Sequence, residues 1–160
     1  MEETELARIA GELLRITQTA ALATHSHSRV GFPFASLVEF AIDDRRLPLL
    51  LLSRLAMHSK NLRHDPRASL LVAATGEANV LSLARATFVG EFYPADDASQ
   101  GKLKEKFVAS NPHSVQWAAF GDFQIYELQL ESLYVITGFG GMGWVRPGYY
   151  QETFFAEGSA

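Results

Sequence analysis

Residues 49–70 hold the densest set of chemically useful side chains. Four consecutive leucines, Leu49 to Leu52, lead into Ser53, Arg54, His58, Ser59 and Lys60, at the point where a helix would begin. First-turn N–H groups have no partner within a helix, and the helix dipole is positive at that end, so such a turn favours an anion. Hydroxyls, a guanidinium and an ammonium beside it suit phosphate oxygens. The same residues also fit a solvated polar face that holds nothing. No side chain in the sequence reads as a nucleophile with a base beside it. That absence fits a protein whose chemistry is carried by a cofactor while the chain supplies position and electrostatics.

Two other patterns invite a reading and lose it. His25 and His27 have metal-capable spacing but sit in a polar turn without a nearby third ligand, so we assign no metal. Gly138, Gly140 and Gly143 fit G-x-G-x-x-G after a strand. With Pro147 and Gly148 so soon afterwards no helix is expected to follow, and the chain as given lacks the later strand that would supply a ribose-binding acid. Residues 138–160 read instead as a glycine-rich, aromatic, flexible flap, with Trp144 or Tyr149 covering a ligand or packing on a partner subunit.

The elements that must position these groups follow from periodicity. Leu6, Ile9, Ala10, Leu13 and Leu14 recur at helical spacing, which predicts an amphipathic helix over residues 3–16 with Thr4 capping its first turn. Residues 20–24 and 32–42 read as a hairpin across the polar turn 25–29. In its second strand Phe34, Ser36, Val38 and Phe40 share one face, and Leu37 and Glu39 the other. Residues 47–52 are apolar without interruption, which implies burial on both sides: a barrel interior on one and a partner subunit on the other. A short helix over 55–64 must stop by Asp65, because Pro66 disfavours helical backbone before it. Further strands are expected at 68–74, at 83–92 with a bulge or bend at Gly90, at 123–130 and at 133–137, with a loop at 75–79. A helix-like segment at 102–109 turns Leu103, Phe107 and Val108 inward, and a second short helix follows Pro112.

About six short strands with few helices exclude a doubly wound sheet and predict a mainly β (α+β) fold: a six-stranded antiparallel split β-barrel with flanking helices, as one domain with its barrel at about 19–137. The 160 residues carry 14 basic and 18 acidic side chains, net −4, which argues against a nucleic-acid partner. The absence of cysteine removes disulfides and thiolate metal sites. With the acidic start Glu2-Glu3-Thr4-Glu5 and no apolar run of membrane-spanning length, the cytoplasm is the expected compartment, with no membrane partner.

The unit Ser53-Arg54-Leu55-Ala56, His58, Asn61-Leu62 and Asp65-Pro66-Arg67-Ala68-Ser69-Leu70 resembles the pyridoxamine 5'-phosphate oxidase-like superfamily of FMN-binding split barrels. It is closest to the branch of haem-utilisation proteins, as are Phe34-Ala35-Ser36-Leu37-Val38 and Phe120-Gly121-Asp122-Phe123. The resemblance spans roughly residues 20–145. It implies a homodimeric FMN-binding protein acting as an oxidoreductase on a small-molecule substrate that the sequence does not name. Ser36, Leu37 and Val38 would lie along the isoalloxazine and ribityl chain, Ser53 and Arg54 would approach the flavin, and His58, Ser59, Lys60 and Asn61 would surround the phosphate. Two departures argue against oxidation of pyridoxamine phosphate: Ala56, Met57 and His58 stand where those oxidases carry Ser-Arg-Lys, and their C-terminal Arg-Leu-His motif has no counterpart. The branch also implies an alternative, haem held or degraded with His58 or His64 as axial ligand. A third reading is a cofactor-free interaction module on the same barrel.

Overall fold

Helix α1 (Glu3–Ile16) buries Leu6, Ala10, Leu13 and Leu14 of the expected stripe together with Ala7, while Ile9 is half-buried at its edge. In this computed structural model, which describes residues 1–76 and 79–155, seven strands follow: β1 (Thr19–His25), β2 (Pro33–Ile42), β3 (Pro48–Ser53), β4 (Arg67–Ala73), β5 (Arg85–Pro94), β6 (Phe123–Ile136) and β7 (Met142–Val145). The sheet runs β3-β2-β1-β4-β5-β6-β7, every pair is antiparallel, and β3 also pairs with β6. That last pairing closes the first six into a barrel, as expected, with β7 added outside the closure. Four more helices complete the order: α2 (Met57–His64), α3 (Asp97–Ser110), α4 (Val115–Ala118) and α5 (Pro147–Phe155).

Several expectations need correcting. Thr4 does not cap α1; Glu2 stands at the cap without a side-chain bond, and the neighbouring Glu3 carboxylate instead accepts from the Arg146 backbone N–H and guanidinium at 3.0 and 2.8 Å. Helix α3 begins five residues early, at Asp97. The strands expected at 123–130 and 133–137 are one strand, β6, because the chain does not turn at Glu131-Ser132. It bulges there, with Val89 opposite Ser132 and Gly90 opposite Leu130. Gly90 is required at that point: a Cβ would lie 2.1 Å from the Gln129 carbonyl oxygen.

A helix does follow the glycine-rich turn. Pro147 occupies the first position of α5, where its fixed φ suits a helix and its missing N–H costs nothing. Tyr150 of that helix is fully buried, edge-on to Phe88, so the segment packs into the fold and is no flap. Trp144 stays 60% exposed and leans on Tyr134. Residues 77–78 of the expected loop and residues 156–160 of the expected tail lie outside the described residues.

Strand β3 is buried on both faces, as its composition requires. Leu50 and Leu52 join the barrel core with Phe40, Phe88, Phe92 and Tyr126. Leu49 and Leu51 face a second cluster built from Phe107, Ala118 and Ile125, with Leu103, Trp117 and Phe123 at its margin. The chain's own α3 and α4 therefore cover the side that the sequence reading gave to a partner subunit. Gln100 fixes α3 there, donating to the Ala95 and Ile125 carbonyls and accepting from the Ile125 N–H.

Candidate cofactor cleft

Strands β2 and β3 pair over three positions only, Phe40 with Leu50 to Ile42 with Pro48. Beyond Phe40 they part. Strand β2 continues along β1 as far as Pro33 opposite His25, while β3 continues along β6 as far as Ser53 opposite Phe123. At the fork the Asn111 side chain donates to the Phe40 carbonyl at 3.1 Å, which pins the end of α3 to β2.

The parted strands leave a cleft of about 290 Å³. Leu37, Val38 and Glu39 form one wall, Leu51, Leu52 and Ser53 another, and Phe107, Trp117 and Phe123 a third. Helix α2 starts at the cleft and contributes Ala56 and His58. The His58 Nδ1 lies 3.2 Å from the Ser36 hydroxyl, which fixes the ring orientation. Burial pushes the His58 pKa below the ordinary imidazole value, favouring the neutral ring. Among the described residues nothing hydrogen-bonds its Nε2.

Hydrogen bonds hold the rest of the mouth. Ser53 donates to the Asp122 carboxylate at 2.6 Å and accepts from the Leu55 N–H, while the Arg54 N–H donates to the Asp122 carbonyl at 2.7 Å. On the far rim the Glu39 carboxylate meets His113 Nε2 at 2.6 Å, and the His113 ring stands edge-on to Trp117.

Of the nine residues singled out from the sequence, Leu37, Val38, Ser53 and His58 line this cleft, and Ser36 stands behind His58. Arg54 and Lys60 are exposed and do not line it. Ser59 and Asn61 are fully buried. The Asn61 amide donates to Thr24 and accepts from the His27 N–H, tying the β1–β2 turn to α2. Ser59 lies beside the buried Tyr126 hydroxyl, whose pKa burial raises. These two side chains are therefore not available to a phosphate. His64, the other candidate ligand, is exposed, does not line the cleft, and has its ring tilted against that of His27 with 4.3 Å between centroids.

Glu39, Leu51, Leu52, Ala56, Phe107 and Asp122 were not singled out as site residues. The signal for Leu51 was present: a leucine on the outer face of a barrel strand needs something to cover it.

The family model for the CREG β-barrel matches residues 1–152. The chain belongs to this family. Over 117 residues, 73% of its length, this CREG β-barrel is 31% identical to the non-canonical heme oxygenase HOZ, chloroplastic, of Arabidopsis thaliana, and the match covers 36% of that protein. The chain thus spans about a third of that curated relative. The structure of a heme-binding protein from Mycobacterium smegmatis superposes with a TM-score of 0.84 at 25% identity, covering 95% of this chain and 61% of that one. A pyridoxinephosphate oxidase family protein from Clostridium acetobutylicum shares the fold with a TM-score of 0.69 at 12% identity, over 94% of this chain and 99% of that one. The pyridoxamine 5'-phosphate oxidase-like split barrel expected from the sequence is the fold of this chain. Among the described residues no helix is long and apolar enough to cross a membrane.

Proposed function

We propose that this CREG-type barrel binds haem in the cleft between β2 and β3, with His58 as axial ligand, and handles haem as its small-molecule substrate or cargo. The carrying observation is His58 itself: an imidazole whose neutral form burial favours, on an apolar cleft, one nitrogen held by Ser36 and the other without a partner among the described residues. Metal-binding histidines characteristically have their second nitrogen held in this way. Leu37, Val38, Leu51, Leu52, Phe107, Trp117 and Phe123 give a macrocycle the apolar contact it needs. Arg54, exposed next to cleft-lining Ser53, is the cation offered to its carboxylates. Bound haem would supply a redox-active iron; the protein's part is to hold it, orient it and exclude water.

FMN was the leading reading of the sequence, and it is weakened here because two of its four phosphate residues, Ser59 and Asn61, are buried. The relatives named for haem add weight to the haem reading.

The proposal includes a homodimer, although the reason given for it from the sequence has gone. A different surface supports it. Leu37, Ala21 and Leu71 lie side by side across β2, β1 and β4, next to the row Ala35, Ala23 and Ser69. Leu37 is 77% and Leu71 40% exposed. This low, apolar face adjoins the cleft through Leu37, so a second copy seated on it would complete the cleft wall. The cysteine-free composition suits the reducing cytoplasm.

Parallel titrations with haemin and with FMN test the ligand. A Soret shift saturating near one haem per chain, with flavin fluorescence unquenched, is expected. Saturable flavin quenching without a Soret shift would restore the FMN reading, and neither signal would favour a cofactor-free module. Light scattering tests the dimer: a mass near twice the 17.7 kDa chain is expected, and a single-chain mass contradicts it.

A further inference from the structure

A second cavity of about 450 Å³ lies between α1, α5 and the β2–β3 turn, and it shares no lining residue with the cleft. Arg8 and Arg15 reach it from α1, and Arg46 reaches it from the turn. Among the described residues Glu12 is its one carboxylate, and it is engaged by Arg15 at 2.8 Å. Its apolar surface comes from half-buried Ile42 and Phe154; Leu14 and Tyr150, which also border it, are buried. Gly11 lets the Phe154 ring lie against α1, where a Cβ would come within 2.0 Å of it.

Arg46 is the telling residue. Its φ of +63° makes it the one left-handed residue other than glycine among the described residues. Such backbone is unfavourable for a residue of this size, and glycine or asparagine would adopt it at lower cost. The turn nevertheless fixes Arg46 in place. The Asp43 carboxylate accepts from the Arg45 and Leu47 N–H groups, and buried Tyr150 donates its hydroxyl to the Arg46 carbonyl at 2.7 Å. The Arg46 guanidinium then stands 5.9 Å above the Phe154 ring. Among the described residues no carboxylate pairs with it. Strain of this kind persists where the surroundings over-determine it and the conformation is used.

We infer that this cavity is a binding site for a small aromatic carboxylate, its ring against Phe154 and Ile42 and its carboxylate on Arg46. The apolar surface of Ile42 and Phe154 favours an aromatic acid over a bare phosphate, and the guanidinium distinguishes an acid from its amide.

Isothermal titration calorimetry on the full chain tests this with benzoate, neutral benzamide and inorganic phosphate as probes. Saturable benzoate binding is expected, with benzamide and phosphate each weaker by about tenfold or more, the loss that one charge-assisted pair commands. Arg46→Gln should weaken benzoate by a similar factor while leaving the unfolding midpoint near that of the unaltered protein. Arg46→Gly should weaken benzoate and raise the midpoint, because glycine releases the left-handed strain. Absence of saturable benzoate binding, equal affinity for benzamide, or unchanged affinity in Arg46→Gln would overturn the assignment.

Discussion

Two of the strand seams of this barrel are built in opposite ways. Between β5 and β6 ten residue pairs run in register around one bulge, and the strands meet so closely that Gly90 has no room for a side chain. Between β2 and β3 the pairing stops after three, and a cleft opens between the continuing strands. The first seam spends its backbone groups on itself and is purely architectural. The second leaves space, and the chain places its one half-buried, neutral histidine there. The difference teaches where a barrel of this kind keeps its chemistry: at the strand pair that parts, with the fully paired seam serving as the rigid support.

Substitutions should separate the two seams. The largest effect is expected from Phe107→Ala, which empties the cover over Leu49 and Leu51 and should cost about 4 kcal/mol in chemical denaturation. A loss below about 1 kcal/mol would mean that α3 is not the wall described here. Gly90→Ala should cost about 3 kcal/mol by forcing β5 away from the Gln129 carbonyl, while leaving ligand binding per folded molecule intact. A loss of affinity as large as the loss of stability would show that the seams are not separable.

Acidity probes the cleft seam alone. Because burial lowers the His58 pKa in the folded chain, the unfolded chain takes up the proton first. The contribution of His58 to stability is therefore fully present above its ordinary value of about 6.5 and is lost as pH falls through that value toward the lower folded one. Denaturation midpoints measured across this window should fall less steeply with pH in His58→Gln than in the unaltered protein; identical slopes would contradict a buried neutral ring. The smallest effect belongs to Ser36→Ala, about 1 kcal/mol for one hydrogen bond, read in chemical denaturation; no loss of stability would mean that the Ser36–His58 bond does not hold the ring.

Much of this was legible in the sequence because it rests on local rules. The period-two pattern of β2, the unbroken leucines of β3 and the proline that stops α2 each specify an element without reference to the rest of the chain. His58, Ser53, Leu37 and Val38 reached the cleft list through their motif. What the sequence concealed depended on tertiary partners. Nothing local says that Asn61 is spent on Thr24 and His27, that α3 and not a second subunit covers Leu51, or that Pro147 opens a helix whose Tyr150 enters the core. The bulge at Glu131 read as a turn for the same reason: a polar pair in a long strand looks alike in both cases until its partner strand is known.

The most direct test of the central claim is the Soret spectrum of haem-loaded protein compared with that of His58→Ala, with and without free imidazole. The account predicts a shifted Soret band in the variant, affinity weakened by about tenfold or more, and restoration of the original band by imidazole. An unchanged band and affinity in His58→Ala would contradict it and remove His58, and with it the cleft, from the haem site.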